Sequence, residues 1–381
     1  MRYYTTIFFI FLSYASIQAQ VTISGKVLHH ADSTPVKGIQ VFIANTLLAN
    51  KTNAQGRFQI DRVPLGKQEI VIISPNFQQK VIVKEFTQKE SVELRVYVVK
   101  RIVGKKELRK DGSWKRNYKR FEKAFLGDTP NAHKCGILNP TVVSFTQEGG
   151  TLIATANEPI RIRNEALGYE VGFLLEHFQM KELTVSYGGK SFFKELVSRN
   201  AKEQKKWIKN REKAYNGSFQ HFLHALQANR ISEQGFEIYR AEVKHNRSGF
   251  ETKQELQLSD VYVKEDNQLQ FKGFLRVIYL KEKEEQAYLN SQSNIDGNST
   301  VKFERSGRGE ETGRADEFQP NIQRVAKSGP QSSYVYALKQ PIPLDVNGFL
   351  KDPQLVKEYG YWAWGRIAEL MPKEYRSGVL K

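Results

Sequence analysis

Cysteine is nearly absent. Cys135 is the only one in 381 residues, so no intrachain disulfide can form and no cysteine stands near the N-terminus to carry a lipid. None of the seven histidines (His29, His30, His133, His177, His221, His224, His245) has Glu three residues later, and His-Glu-x-x-His is absent, so the local turn that opens many zinc hydrolase sites is missing. There is no Gly-x-Ser-x-Gly elbow to present a hydrolase serine. In TVSYGGKS, Thr184 occupies the place of a phosphate loop's first glycine, so Gly188-Gly189 reads as a hairpin turn. Beyond the first twenty residues no apolar run is long enough to span a bilayer. Acidic residues are also in deficit, 41 against 58 Lys and Arg, which leaves a formal charge of +17.

What is present begins with Met1, Arg2 and an apolar run from Ile7 to Leu12, followed by small and polar residues up to Ala19. This pattern predicts a signal peptide over 1–19, with Gln20 as the mature N-terminus. An exported basic protein meets acidic glycans and lipopolysaccharide rather than nucleic acid. From Val21 to Lys100 apolar residues alternate: Ile23 and Val27; Ile39, Val41 and Ile43; Phe58 and Ile60; Ile70 and Ile72. This is the period of half-buried strands. Asn53 and Gly56 bracket a reversal in which Gly56 can take positive φ.

The pattern Gly25-x-Val27, Pro35-Val36-x-Gly38, Thr52-Asn53-x-x-Gly56-x-Phe58 and Val63-Pro64-x-Gly66 resembles the carboxypeptidase regulatory-like domain, a small Ig/transthyretin-like β-sandwich. Such modules stand behind metallocarboxypeptidase catalytic domains and at the N-termini of many bacterial surface proteins, including TonB-dependent receptors. The zinc motif of the catalytic half is lacking here. Three later stretches, FLGDTPNAHKCGILNP, EALGYEVGF and EYGYWAWGRIAELMP, resemble more loosely the C-terminal region of Gram-negative proteins that carry this module. The resemblance implies no activity for them.

After Lys100 the composition changes. Lys100 to Lys123 holds eleven Lys or Arg against Glu107, Asp111 and Glu122. Trp114, Tyr118, Phe121 and Phe125 recur at helical steps, which predicts an amphipathic helix with Ser113 as N-cap, docking on the domain that follows. Lys105, Lys106, Arg109, Lys110, Lys115, Arg116, Lys119 and Arg120 are the candidate polyanion-binding residues of this 101–130 segment. Antiparallel strands are expected at TVVSF, TLIATA, IRIRN, YEVGFLLEHF and ELTVSY, with a turn at Gly149-Gly150. Ser191 to Arg230 reads as helical, divided by Asn216-Gly217-Ser218. Strands return at FEIYRAEV, VYVKED and FKGFLRVIYL. Lys281 to Gly329 reads as exposed loops with a hairpin through TVKFER; YVYAL and IPLDVNGFL follow as extended segments. Asp352-Pro353 should then open a C-terminal helix with Leu355, Tyr359, Trp362 and Ile367 on one face.

Reactive groupings are few. His221 and His224 stand three apart on an expected helix, and the reading is structural, with one ring on the sheet and one solvated. His133 and Cys135 beside Asp128 are adjacent in a loop, and Cys135 reads as a small buried hydrophobe. Tyr359, Tyr361, Trp362 and Trp364 read as core and flank rather than a sugar platform. The expectation is an α+β chain: sandwich over 20–100, basic linker and helix over 101–130, and a mixed antiparallel-sheet-plus-helices domain over 131–381. No cofactor or metal is expected. The expected role is a non-enzymatic one in binding or assembly at the cell envelope, periplasmic or surface-associated, with an envelope protein, an acidic glycan or lipopolysaccharide as the expected partner. The alternatives are a hydrolase using some of His177, His221, Glu176 or Asp128, and an accessory part of outer-membrane receptor or secretion machinery.

Overall fold

The computed structural model describes residues 21–101, 112–181, 184–243, 250–293 and 328–377. The expected signal peptide over 1–19, the candidates Lys105, Lys106, Arg109 and Lys110, and the expected hairpin through TVKFER lie outside the described residues.

Alternation in the first eighty residues becomes seven strands: β1 (Val21–His29), β2 (Gln40–Ile43), β3 (Ala49–Lys51), β4 (Arg57–Val63), β5 (Gly66–Ser74), β6 (Phe77–Phe86) and β7 (Ser91–Val98). They form two sheets in the orders β4-β1-β7 and β3-β2-β5-β6. Only β1 and β7 run parallel; the other pairs are antiparallel. Ile23, Val27, Ile39, Val41, Ile43, Phe58, Ile60, Ile70 and Ile72 fill the space between the sheets, as their alternation predicts. The Asn53 carboxamide oxygen accepts from the backbone N–H of Gln55 (3.0 Å) and Arg57 (2.9 Å) and closes the turn, with Gly56 at φ +69.

α1 (Gly112–Leu126) lies on a six-stranded antiparallel sheet made of β8 (Cys135–Ile137), β9 (Val143–Glu148), β10 (Thr151–Ala156), β11 (Ile160–Asn164), β12 (Tyr169–Lys181) and β13 (Thr184–Glu195). The expected aromatic face is the docking face. Trp114 stacks on Tyr118 at 5.1 Å, Phe121 meets Phe178 edge-on at 4.8 Å, and Phe125 meets Phe173 at 5.3 Å. Ser113 is not the N-cap; it lies inside the helix, which already includes Gly112.

Gly188 and Gly189 are not a turn. Both lie within β13, opposite a bulge between Leu175 and His177 of β12. A Cβ on Gly188 would come 2.4 Å from the His177 ring, and one on Gly189 would come 2.1 Å from the Leu174 carbonyl oxygen. Close backbone approach, not chain reversal, is what these glycines permit. The strand runs on to Glu195, so the helical region begins only at α2 (Ala201–Tyr215), not at Ser191. Asn216-Gly217-Ser218 divides it from α3 (Phe219–Gln227) as expected, and Ser218 caps α3 by accepting from the His221 N–H.

A second antiparallel sheet has the order β15-β14-β18-β19-β21, from β14 (Phe236–Val243), β15 (Phe250–Leu256), β18 (Phe274–Lys283), β19 (Pro330–Ala337) and β21 (Val356–Gly360). A small sheet of β16 (Tyr262–Val263), β17 (Gln268–Leu269) and β20 (Ile342–Pro343) flanks it. α4 (Gln286–Ser293) occupies part of the stretch read as loop. Phe222, Leu223 and Leu226 of α3 pack with Phe236, Ile238, Leu275 and Val277 of this sheet.

The C-terminal helix is replaced by other structure. Asp352 does cap a turn, accepting from the Gln354 N–H, with Pro353 at its first position, but the turn lasts three residues. Val356 to Gly360 then pairs with β19, from Ala337↔Val356 to Ser333↔Gly360. Among the described residues, the four-residue α5 (Tyr361–Trp364) and a single 3-10 turn at Ile367–Glu369 are all the helix that follows it. Pairing with an existing sheet edge outweighs the helical spacing of the apolar residues.

Sandwich and second body are joined face to face. Phe42, Ala44, Val71 and Ile73 point out of the sandwich and pack on Leu174 and Phe192. The Asn45 N–H donates to the Ser191 carbonyl (2.6 Å), and the Phe193 N–H donates to that of Thr46 (3.0 Å). Lys190 reaches Glu69 of the sandwich at 3.3 Å and Glu176 of β12 at 2.5 Å. Burial works against its charge, but the hydrogen bond to Glu176 and the Glu69 carboxylate outweigh it and hold the ammonium above its ordinary range.

Candidate functional site

Helix α1 turns Lys115, Arg116 and Lys119 to solvent, with Arg120 half-buried beside them. Among the described residues no carboxylate lies in ion-pair reach of these four, whereas Lys123 pairs with Asp128 at 3.4 Å. The first turn of α1 carries no acidic residue. Lys115, at the end of that turn, opposes the positive end of the helix dipole.

The three stretches of the looser resemblance, far apart in the chain, meet at one place. Glu369 accepts from the Thr129 hydroxyl at 2.5 Å and from the Asn131 carboxamide at 2.8 Å. The Asn164 carboxamide donates to the Ala368 carbonyl at 2.9 Å, while its oxygen accepts from the N–H groups of Ala166 and Leu167. Helix α2 grips the loop from the other side. The Trp207 indole N–H donates to the Glu165 carbonyl, Asn210 donates to that of Ala166 and Arg211 to that of Leu167. The Trp207 ring lies where a Cβ on Gly168 would be, 2.3 Å away. The Arg211 guanidinium lies 3.9 Å over the Tyr169 ring.

Burial pushes the Glu369 carboxyl up against the lowering effect of its two donors. Both of its oxygens are engaged, so it acts as a clamp. Beside this junction Glu358 has no hydrogen-bond or ion-pair partner among the described residues. It is half-buried, and desolvation pushes its carboxyl up to about 7. The Tyr187 phenol, raised by burial, feels Arg366 and Glu358 in opposite senses. Sequence spacing alone assigns no role to carboxylates such as Asp345, Asp352 and Glu358, because acidic residues are mostly solvated.

The other groups considered from sequence do not gather. His221 and His224 are both buried, so neither ring is solvated. The His221 Nδ1 accepts from the Gly217 N–H at 3.0 Å, which leaves Nε2 to donate to Gln234 at 3.1 Å. Burial lowers it to about 4 and His224 to about 3. With both His221 nitrogens engaged, the pair offers no two-ligand metal site. His133 does face Asp128, at 3.2 Å, and this hydrogen bond lowers the Asp128 carboxyl. Cys135 turns instead to the Asn131 carbonyl, and burial pushes its thiol up to about 12, so it is not a thiolate nucleophile at neutral pH. His177 approaches Ser186 and Glu176 holds Lys190. The aromatic residues pack as read: Trp362 against Phe219 and Phe222, Tyr361 and Trp364 against Tyr288.

A β-sandwich module fused through one sheet face to an α+β body is the class this fold defines. Residues 23–105 match the model of the CarboxypepD_reg-like domain family, so the N-terminal sandwich is a carboxypeptidase regulatory-like domain. No curated protein matches the chain. Among solved structures, the major pilin subunit BcpA of Bacillus cereus is 11% identical, over 22% of this chain and 31% of that one, at a TM-score of 0.20. The minor pilin GBS52 of Streptococcus agalactiae is 11% identical, over 23% and 46%, at 0.19. The 3-chlorocatechol 1,2-dioxygenase of Rhodococcus opacus 1CP is 8% identical, over 22% and 61%, at 0.18. Less than two thirds of each of those chains is spanned, and such likeness carries no argument about function.

Proposed function

We propose that the chain is an exported, non-enzymatic binding or assembly protein of the cell envelope that holds acidic envelope polymers on the outer face of α1. The observation that carries this reading is the row Lys115, Arg116 and Lys119, exposed and, among the described residues, without an ion-pair partner, on a helix anchored through its opposite face. The regulatory-like domain, the leader-like N-terminus and the overall charge of +17 support it. Among the described residues no helix is long and apolar enough to cross a membrane. A cationic face attracts a polyanion through charge, and salt screens that attraction. Binding of the mature chain to lipopolysaccharide or an acidic polysaccharide is therefore expected to weaken at least about tenfold between about 0.1 M and about 1 M salt, as the screening length shrinks from about 10 Å to about 3 Å. Lys115→Glu with Lys119→Glu should weaken it at low salt. Binding indifferent to salt and to this charge reversal would overturn the reading.

A further inference from the structure

Where the sandwich meets the second body an open cleft of about 230 Å³ remains, walled by Ile73 and Pro75 on one side and Pro159 and Phe192 on the other. Clefts between modules are common ligand sites, but this one is below the roughly 300–1,000 Å³ of drug-sized pockets. It has room for one six-membered ring and its substituents. The half-buried Phe192 ring is held at 4.6 Å from Phe42, so its position is set by the seam. Around this apolar wall stand three polar side chains that the fold does not use. Gln40, Lys51 and Glu158 have no side-chain hydrogen bond or ion pair among the described residues, whereas Arg161 is engaged by Glu170 at 2.8 Å and the Asn139 carboxamide by the backbone of Pro159 and Arg161. An aromatic wall with an unused amide, ammonium and carboxylate around a one-ring space is the chemistry that recognises a sugar. The C–H face packs on the ring, the amide and carboxylate take hydroxyls, and the ammonium takes an acid group.

We infer that this cleft binds a single uronic acid residue of an acidic glycan, with its carboxylate on Lys51, its hydroxyls on Gln40 and Glu158, and its ring on Phe192. The choice of an acidic sugar rests on the proposed polyanion function; the cleft itself does not. The test is titration of the mature chain with glucuronate, glucose and sulfate, followed by NMR or calorimetry. Glucuronate should half-saturate near ~1 mM, the affinity of a ligand of about thirteen non-hydrogen atoms in an open site. Lys51→Met should weaken glucuronate up to about fivefold, the most an exposed ion pair supplies. Gln40→Ala should weaken it as well. Both residues are at or near the surface, and unchanged melting would show that the fold is kept; Phe192→Leu, at the seam, is the third variant and should also lose affinity. Glucose binding as tightly as glucuronate, sulfate competing as well as glucuronate, or no saturation by about 50 mM would each overturn the assignment. The charge-reversed α1 variant should bind glucuronate normally, so failure of polymer binding and failure of this site are told apart.

Discussion

Glu358 is held on β21 with no partner for its charge among the described residues, and its carboxyl ionises near 7 instead of the ordinary 4.5. A carboxyl raised in the folded state binds more protons there than in the unfolded chain between those two values. Its contribution to stability is therefore largest at acid pH and is lost as pH rises through the window. His221 and His224 act in the opposite sense. Lowered by burial to about 4 and about 3, they contribute stability above about 6.5 that is lost as pH falls. Glu358→Gln should stabilise the protein by about 1–2 kcal/mol at pH 8, a figure kept below the full shift because the carboxyl keeps some contact with solvent, which screens it. The gain should vanish near pH 4.5. Urea unfolding of both proteins at the two pH values measures it, and equal stabilities at pH 8 would show that the carboxylate is well solvated.

Among the elements, β13 ties sandwich to body most directly, through Lys190 between Glu69 and Glu176. Removing a cation from between two carboxylates leaves them facing each other without compensation, which costs more than the attraction itself. Lys190→Met should destabilise the chain by about 1–2 kcal/mol, the modest end of that range because both carboxylates keep contact with water. Adding Glu69→Gln and Glu176→Gln should recover most of the loss. A neutral Lys190→Met would show that packing and the backbone hydrogen bonds hold the seam without this ion pair. Local periodicity reads some elements well and others badly. Trp114, Tyr118, Phe121 and Phe125 share a helix face because their docking partner is one broad sheet. Leu355, Tyr359 and Trp362 have similar spacing, yet Tyr359 lies in a strand beside Tyr334. The free edge of β19 decides this, and nothing within 352–367 reports it. β15 escapes local periodicity for a related reason: FETKQEL is an edge strand with little apolar alternation, and Thr252 to Glu255 are exposed.

At the scale of the molecule, one sheet of the sandwich is covered on both sides. β2 and β5 bury both faces, Ile70 and Ile72 into their own core and Val71 and Ile73 against the second body. Such continuous apolar runs mark strands covered on two sides. All four tryptophans, Trp114, Trp207, Trp362 and Trp364, lie outside the sandwich, so their fluorescence follows the second body alone. Val71→Asp, made in the sandwich, places a charge in the seam and should lower the denaturation midpoint seen by tryptophan fluorescence together with that seen by far-UV circular dichroism. A tryptophan transition that does not move would mean that the two bodies unfold independently. The sequence alone determined the sandwich, its Asn53 to Gly56 turn, the docked aromatic helix and the break between α2 and α3, because each rests on neighbours a few residues apart. Only the tertiary structure decided that VFI and IVII face two partners, that Val356 to Gly360 extends a sheet, and that Thr129 meets Glu369 across 240 residues. Contacts of that kind depend on which surfaces the folded elements bring together, and side-chain spacing within one segment carries no record of its distant partner.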